Sequence, residues 1–222
     1  MKALAEGLEQ LGGFPPDLVN CYLMGGVLVD ARTRFDGRGI LKELKGRDVI
    51  AHASTHAHPD HQGSSRQVCE ALGIPLWCGE PDAEAAEDPR VMIGRMRPSW
   101  INSLIGRNIG GPGHPVARRL REGDEVGGFE VVASPGHTAG HVSYWRQADR
   151  VLVVGDCIAS VNPFTLRPGL RMPPEVFTPD PALNRESARK LGALEPSLIC
   201  FGHGPPMRDT RKFVEFCEGL PV

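Results

Sequence analysis

The sequence predicts an αββα sandwich, two mixed β-sheets packed face to face with helices on their outer sides. Strand-like apolar runs alternate with helical patterns in two successive halves of the chain, which is the signature of an α/β fold. Runs such as Val151-Leu152-Val153-Val154 carry no polar alternate, as strands buried on both faces require. The length of 222 residues fits one domain spanning 1–222, because layered folds often pass about 200 residues before a second core is needed.

In the first half, Val27–Val29 and Val49–Ala53 read as strands, a helix is expected from about Ser64 to Leu72, and Pro75–Cys78 as the next strand. The second half offers strands at Phe129–Ala133, Val142–Trp145 and Val151–Val154, a helix from about Pro181 to Leu194, a strand at Leu198–Phe201 and a last helix near Arg211–Glu218. The N-terminal stretch MKALAEGLEQLGGF places Leu4, Leu8 and Leu11 at helical spacing, with Glu6 and Glu9 between them. Residues 81–121 read as a long excursion with short helices, holding Trp100, Arg95, Arg97, Arg107, Arg118, Arg119 and the run Gly110-Gly111-Pro112-Gly113. A Pro-rich excursion covers 162–181. Loops this long in a compact domain usually cover a site or bind ligands, so both are expected as cover loops.

Charge is nearly balanced, 25 basic against 27 acidic residues, with no Lys/Arg run longer than a pair such as Arg118-Arg119. That excludes the electrostatic footprint of a nucleic-acid binder. The N-terminus lacks the uninterrupted apolar core of a signal peptide, and no apolar run approaches a membrane span. A cytoplasmic protein without membrane partners is expected; oligomeric state is left open. The six cysteines, Cys21, Cys69, Cys78, Cys157, Cys200 and Cys217, form no C-x-x-C pair and mostly lie in apolar segments. They are expected to be reduced thiols acting as small hydrophobes.

The chemistry-bearing stretch is T-H-A-H-P-D-H at 55–61. Pro59 disfavours helix at His58, so His56 and His58 should lie in extended chain and, two residues apart, point the same way. Asp60 and His61 then fall at the opening of the next helix, where a carboxylate suits the positive end of the dipole. Imidazoles and a carboxylate so gathered suit Zn²⁺, or iron and manganese less selectively. Three later strands end alike: Val131-Val132-Ala133-Ser134-Pro135-Gly136 leads to His137, Val151-Leu152-Val153-Val154-Gly155 to Asp156, and Leu198-Ile199-Cys200-Phe201-Gly202 to His203. Buried strands deliver such residues to one rim of a sheet, and glycine lets the backbone turn close to a centre.

H-A-H-P-D-H at His56 to His61, S-P-G-H-T-A-G-H at Ser134 to His141, V-G-D at Val154 to Asp156 and F-G-H-G at Phe201 to Gly204 together resemble the metallo-β-lactamase-fold hydrolase superfamily. The order and separations fit from about Asn20 onward, and the chain is most similar to the glyoxalase II-like and thioester or lactone hydrolases, with Ala139 in place of a usual proline. The resemblance implies two metal ions, with His56, His58 and His137 on the first, Asp60, His61 and His203 on the second, and Asp156 bridging. Two metals about 3.5–4 Å apart can share a hydroxide whose parent water has a pKa lowered toward ~7, and can polarise a carbonyl. Asp60 is expected to be catalytic, orienting that hydroxide as well as binding metal. His141 is expected to orient the site through a hydrogen bond. His52 should be a packed histidine and His114 solvent-facing; Cys157, next to Asp156, should point away from the metals.

Departures narrow the substrate. A basic helical extension such as glyoxalase II proteins use to grip glutathione is not expected here. Cys157-Ile158-Ala159-Ser160 replaces the tyrosine that acyl-homoserine lactonases place after the bridging aspartate. Neither nuclease arms nor β-lactam hydrolysis is expected. The expected function is therefore a dinuclear metal hydrolase, with zinc the expected metal for the donor set above, acting on a small-molecule thioester, lactone or ester through a metal-bridging hydroxide. The alternatives are a mononuclear iron oxygenase resembling persulfide dioxygenases, or metal binding without catalysis. The substrate-contacting residues are not assigned, although the excursions bring Trp100, Phe164, Arg167, Leu170, Arg171, Met172 and Phe177 as candidates for a cleft with apolar walls and a cationic edge that would take an acyl group with an anionic tail.

Overall fold

The computed structural model describes residues 1–221 apart from the side chains of Ile101, Ser103, Ile105 and Arg107, so the expectation for Arg107 lies outside the described residues. The first half runs β1 (Lys2–Ala5), β2 (Leu8–Gln10), β3 (Tyr22–Met24), β4 (Val27–Val29), α1 (Gly37–Glu43), β5 (Ala51–Ala53), α2 (Pro59–Gln62), α3 (Ser65–Leu72) and β6 (Leu76–Gly79). Helices α4 (Ala83–Glu87), α5 (Pro89–Arg95) and α6 (Trp100–Ile109) lead to β7 (Val116–Leu120). The second half runs β8 (Glu125–Val126), β9 (Phe129–Ala133), β10 (Val142–Arg146), β11 (Val151–Gly155), β12 (Ala159–Val161), β13 (Pro168–Arg171), α7 (Pro181–Gly192), β14 (Leu198–Phe201) and α8 (Thr210–Glu218).

The architecture is the αββα sandwich. A seven-stranded sheet has the order β1-β2-β3-β4-β5-β6-β7, and a five-stranded sheet the order β14-β11-β10-β9-β8. Both are mixed: β4, β5, β6 and β7 pair in parallel, as do β11 and β14, and the remaining pairs of these two sheets are antiparallel. Side-chain alternation builds the layers. Val27, Val29, Val131, Val151, Val153, Leu198 and Cys200 point between the sheets into one core. Leu28 and Leu76 face outward onto Ile40, Leu44 and Val68 of the helical layer. Leu152, Val154, Ile199 and Phe201 face the other way onto Ala188 and Leu191 of α7 and Phe213 and Cys217 of α8. The helices start where local chemistry dictates: Asp180 accepts from Leu183 N with Pro181 in the first turn, and Asp209 accepts from Lys212 N.

Three expectations change. Leu4 and Leu8, spaced as on a helix, instead belong to the β1–β2 hairpin, turned at Gly7 with φ +63°, and both pack into the inter-sheet core. The edge of a large sheet outweighs a marginal local periodicity. The excursion of 81–121 ends in a strand: Val116–Leu120 pairs in parallel with β6 and carries Arg118 over the Trp77 ring at 5.2 Å. The excursion of 162–181 contains β13, paired with β12 as a two-stranded ribbon. Among the described residues no helix is long and apolar enough to cross a membrane.

Candidate metal centre

Strand direction explains why the site lies at one rim. β9 and β11 are each antiparallel to β10, so they run the same way, and β14 is parallel to β11. Their carboxyl ends therefore deliver His137, Asp156 and His203 to the same edge. The facing sheet delivers His56 and His58 just after β5, and Val142 N donates to Thr55 O (2.8 Å) to join the two sheets there. His58 is extended (φ −68°, ψ 151°) and caps α2, which carries Asp60 and His61. Gly202 allows the approach of the last loop, since a Cβ there would lie 1.9 Å from Asp156 Oδ1.

Three groups of ligand-type atoms result, each with its atoms within 4.8 Å of one another: His56, His58 and His137; His56, His61 and Asp156; Asp60, His61 and His203. Asp156 lies between the two outer groups, its Oδ2 at 3.6 Å from His137 Nε2, 3.3 Å from His61 Nε2 and 3.0 Å from His203 Nε2. Asp60 Oδ2 is 3.3 Å from His203 Nε2. All the sequence-derived ligand candidates are thus brought together.

The hydrogen bonds assign the ring tautomers. Thr55 Oγ1 donates to Asp30 Oδ2 (2.9 Å), so His56 Nδ1–H must donate to Thr55 Oγ1 (2.9 Å). His61 Nδ1–H donates to Asp30 Oδ2 at 2.8 Å, and His203 Nδ1–H to Leu18 O at 2.5 Å. Thr178 Oγ1 donates to Pro174 O, so His137 Nδ1–H donates to Thr178 Oγ1 at 3.2 Å. In each ring the outer nitrogen is held as a donor and Nε2 is directed into the cluster, the arrangement that outer partners impose on metal-binding imidazoles. His58 presents Nδ1 instead, 3.0 Å from His56 Nε2. Two ring nitrogens so close can turn both lone pairs to one cation. Buried His137 Nε2 and Asp156 Oδ1 have no hydrogen-bond partner, which also fits a metal.

The electrostatics divide the cluster. Burial, reinforced by neighbouring histidines, holds His56 and His137 well below the usual histidine pKa, and burial brings His58 down to about 4 against the pull of Asp60 and Asp156. Burial also opposes charge on His61 and His203, yet carboxylates outweigh it. Asp156, Asp30 and Asp60 lift His61 well above its ordinary value, and Asp156 with Asp60 lifts His203 to about 10. Conversely, burial disfavours ionised Asp60 and Asp156, but His61 and His203 hold both below the usual carboxylate range. His61 and His203 and the carboxylates thus hold one another in their charged forms, and a metal ion would compete with the protons of these rings.

The residues that brace the ligands are less visible in sequence. Asp30, in the left-handed region at φ +59° just after β4, accepts from Thr55 N (2.7 Å) as well as from Thr55 Oγ1 and His61. Its signal was available: Val27-Leu28-Val29-Asp30 is another apolar strand ending in a ligand-type residue. Asp82 offered none. It is buried and accepts from Ala57 N (3.1 Å), between the first two histidines, and from Thr138 Oγ1 (2.6 Å) and Gly140 N (2.8 Å), just after His137. His141 accepts from Asp156 N at 3.0 Å through Nε2 and meets Ser134 Oγ through Nδ1 at 2.8 Å. His52 is buried, bonded to Leu28 O (3.0 Å) and Ser65 Oγ (2.7 Å). His114 is half-buried in the loop before β7. Cys157 is buried with its thiol toward Asn184 O (3.7 Å), and burial pushes its pKa well up.

Above the cluster lies an open cleft of about 770 Å³, counting space open to solvent, lined on the metal side by Asp60, Asp156 and His203. Met96 and Ile109 of the first excursion and Phe164, Met172 and Phe177 of the second contribute apolar lining. Of the other residues expected at a cleft, Arg171 lines it, whereas Arg167 is exposed, Leu170 packs against the α7–α8 layer and Trp100 is exposed outside the lining.

Comparison with known proteins agrees with this geometry. Residues 14–203 match the family model described as the metallo-beta-lactamase superfamily. The chain is 31% identical to the probable metallo-hydrolase YflN of Bacillus subtilis (strain 168), over 91% of this chain and 86% of that protein. It is 38% identical to a hydroxyacylglutathione hydrolase of Mesorhizobium japonicum, over 71% of this chain but 49% of that protein. Among solved structures, TTHA1623 in a di-iron-bound form superposes with a TM-score of 0.65 at 28% identity, covering 92% of this chain and 96% of that one.

Proposed function

The chain belongs to the metallo-beta-lactamase superfamily, and on that premise we propose that it is a divalent-metal-dependent hydrolase of a thioester, lactone or small ester. The observation that carries this reading is the convergence of ring nitrogens, with the outer nitrogens of His56, His61, His137 and His203 all tied to acceptors. His56, His58 and His137 would hold one ion, Asp60, His61 and His203 a second, with Asp156 between them. When bound, such ions supply Lewis acidity toward an acyl oxygen and make a water acidic enough to attack near neutral pH.

The chain's own residues do the rest. Asp60 is the more exposed of the two site carboxylates, 26% against 7% for Asp156, and faces the cleft. Its cleft-facing carboxylate is placed to accept a hydrogen bond from the attacking water and orient it toward the acyl carbon. In balance, water adds its oxygen to the acyl carbon, the acyl–S or acyl–O bond breaks, one water proton passes to the leaving sulfur or oxygen and the other to solvent, and a carboxylate and a thiol or alcohol leave. His141, through its bond to the Asp156 amide, keeps the central carboxylate in place. The stacked Phe164 and Phe177 rings, 6.1 Å apart, and the apolar walls limit water at the acyl group.

The test is a panel of thioesters, lactones, esters and a β-lactam offered to protein loaded separately with zinc, iron or manganese, alongside an oxygen-consumption assay. Metal-dependent turnover of an acyl–S or acyl–O bond supports the reading. No hydrolysis with any metal, or oxygen uptake with a persulfide, overturns it.

A further inference from the structure

Among the described residues ten lysines and arginines pair with a carboxylate. Arg95 pairs with Glu84, Arg97 with Glu175, Arg118 with Asp124 and Arg121 with Glu80. Arg171 is different. It is half-buried in the cleft wall, it is the one lysine or arginine among the described lining residues, and among the described residues no carboxylate lies within 4.0 Å of it. Its guanidinium is held by backbone carbonyls: Nε donates to Gly169 O and Nη2 to Arg167 O, each at 3.2 Å. These bonds leave the remaining N–H groups of the fork available.

Its position is set by strand register. In the β12–β13 ribbon Arg171 lies opposite Ala159, which itself lines the cleft three residues along the chain from Asp156. Opposed residues in an antiparallel pair are separated by only about 4.5–5.5 Å at Cα. The register therefore sets the Arg171 backbone close to the metal-side end of the cleft, which its side chain lines. Around it, Met172, Phe164 and Phe177 offer no compensating charge, and a partly desolvated cation in apolar surroundings is costly until an anion meets it.

We propose that Arg171 is the anion-binding group of the cleft, and that the substrate is an acyl ester or thioester with an apolar body and a carboxylate. This inference rests on the hydrolase reading above. A planar guanidinium oriented from behind is suited to a two-point hold on a carboxylate, a geometry that a lysine ammonium does not reproduce. Arg167, exposed on the same ribbon and outside the lining, takes no part.

The experiment uses the metal-loaded full chain and matched thioesters that differ only in a terminal carboxylate, phosphate or neutral amide, with the charged end placed on the acyl or the thiol side. Non-hydrolysable thioether analogues of each are titrated by calorimetry. The expected result is preference for the carboxylate series. Arg171→Ala should lower its kcat/KM and weaken its analogue by about 10- to 100-fold, the range that charge-assisted hydrogen bonds supply. Neutral substrates should stay within about twofold, Arg171→Lys should recover only part of the loss, and Arg167→Ala should match the wild type. Equal analogue binding by wild type and Arg171→Ala overturns the proposal, even if hydrolysis is observed. Preference for phosphate overturns the carboxylate assignment. Loss of hydrolysis throughout with selective carboxylate binding intact would overturn the hydrolase reading while supporting the role of Arg171.

Discussion

Asp82 is 1% exposed and ties together two loops that carry the histidines of the first metal group. Its Oδ2 receives both Ala57 N and Thr138 Oγ1, and its Oδ1 receives Gly140 N. Burial raises its pKa while these three donors oppose the rise. Asp82→Ala would leave two buried N–H groups without acceptors, at about 1–3 kcal/mol each, or about 2–6 kcal/mol together. That is a large share of the roughly 5–15 kcal/mol that stabilises a typical domain, so Asp82→Asn is the more informative change. The asparagine oxygen can keep the two donors at the Oδ2 position, but its NH₂ then faces Gly140 N–H, one lost bond worth about 1–3 kcal/mol. We predict a folded variant whose first metal ion binds about 10- to 100-fold more weakly, the usual effect of removing an outer partner, with the second ion little changed. The assay is competition with a chromophoric chelator that resolves two binding steps, beside denaturant unfolding. Leu191→Ala, in the outer layer of the other sheet, is the control: it should cost about 2–5 kcal/mol and leave both metal affinities alone. If Asp82→Asn loses stability as expected yet binds the first ion with wild-type affinity, the tether does not set the metal geometry.

Chelation should abolish turnover and lower Tm, because ligands that bind only the folded state stabilise it by mass action; an unchanged Tm after verified metal removal would count against this. His58→Ala should remove most of one ion per chain by elemental analysis while the second remains, and full retention of both would take His58 out of the ligand set. Asp60→Asn removes charge at nearly constant shape, so kcat should fall by roughly 10²–10⁴ with circular dichroism unchanged; near-native kcat with weaker substrate affinity would reduce its role to uniform binding. His52 has its folded pKa lowered by burial, so its neutral form is favoured on folding. Its contribution is complete above the unfolded value of about 6.5 and is lost as pH falls below that toward the folded pKa, at no more than about 1.4 kcal/mol per pH unit. His52→Gln should flatten the acid side of the stability profile between about pH 6.5 and the acid transition, and an unchanged slope would remove His52 as its source.

What the sequence determined alone was everything encoded locally. Apolar runs with a glycine and a ligand-type residue at their ends specify both the strands and the side chains they deliver, because strand direction carries each end to one rim. Pro59 made His58 extended and opened α2 at Asp60 and His61, a consequence of two neighbouring residues. Only the tertiary structure decided what depends on distant partners. Leu4, Leu8 and Leu11 satisfy a helical spacing, and pairing of β2 with β3 is what makes β1–β2 a hairpin. Asp30 and Asp82 are ordinary acids until folding sets them against Thr55, His61, Ala57 and Gly140. The tautomers of the histidines follow from acceptors such as Leu18 O, far from His203 in the chain. Arg167 and Arg171 look equivalent in the sequence, but the β12–β13 register places Arg171 opposite Ala159 at the cleft and leaves Arg167 exposed. Hydrogen bonds and burial are set by proximity in space, and a one-dimensional pattern records proximity only along the chain.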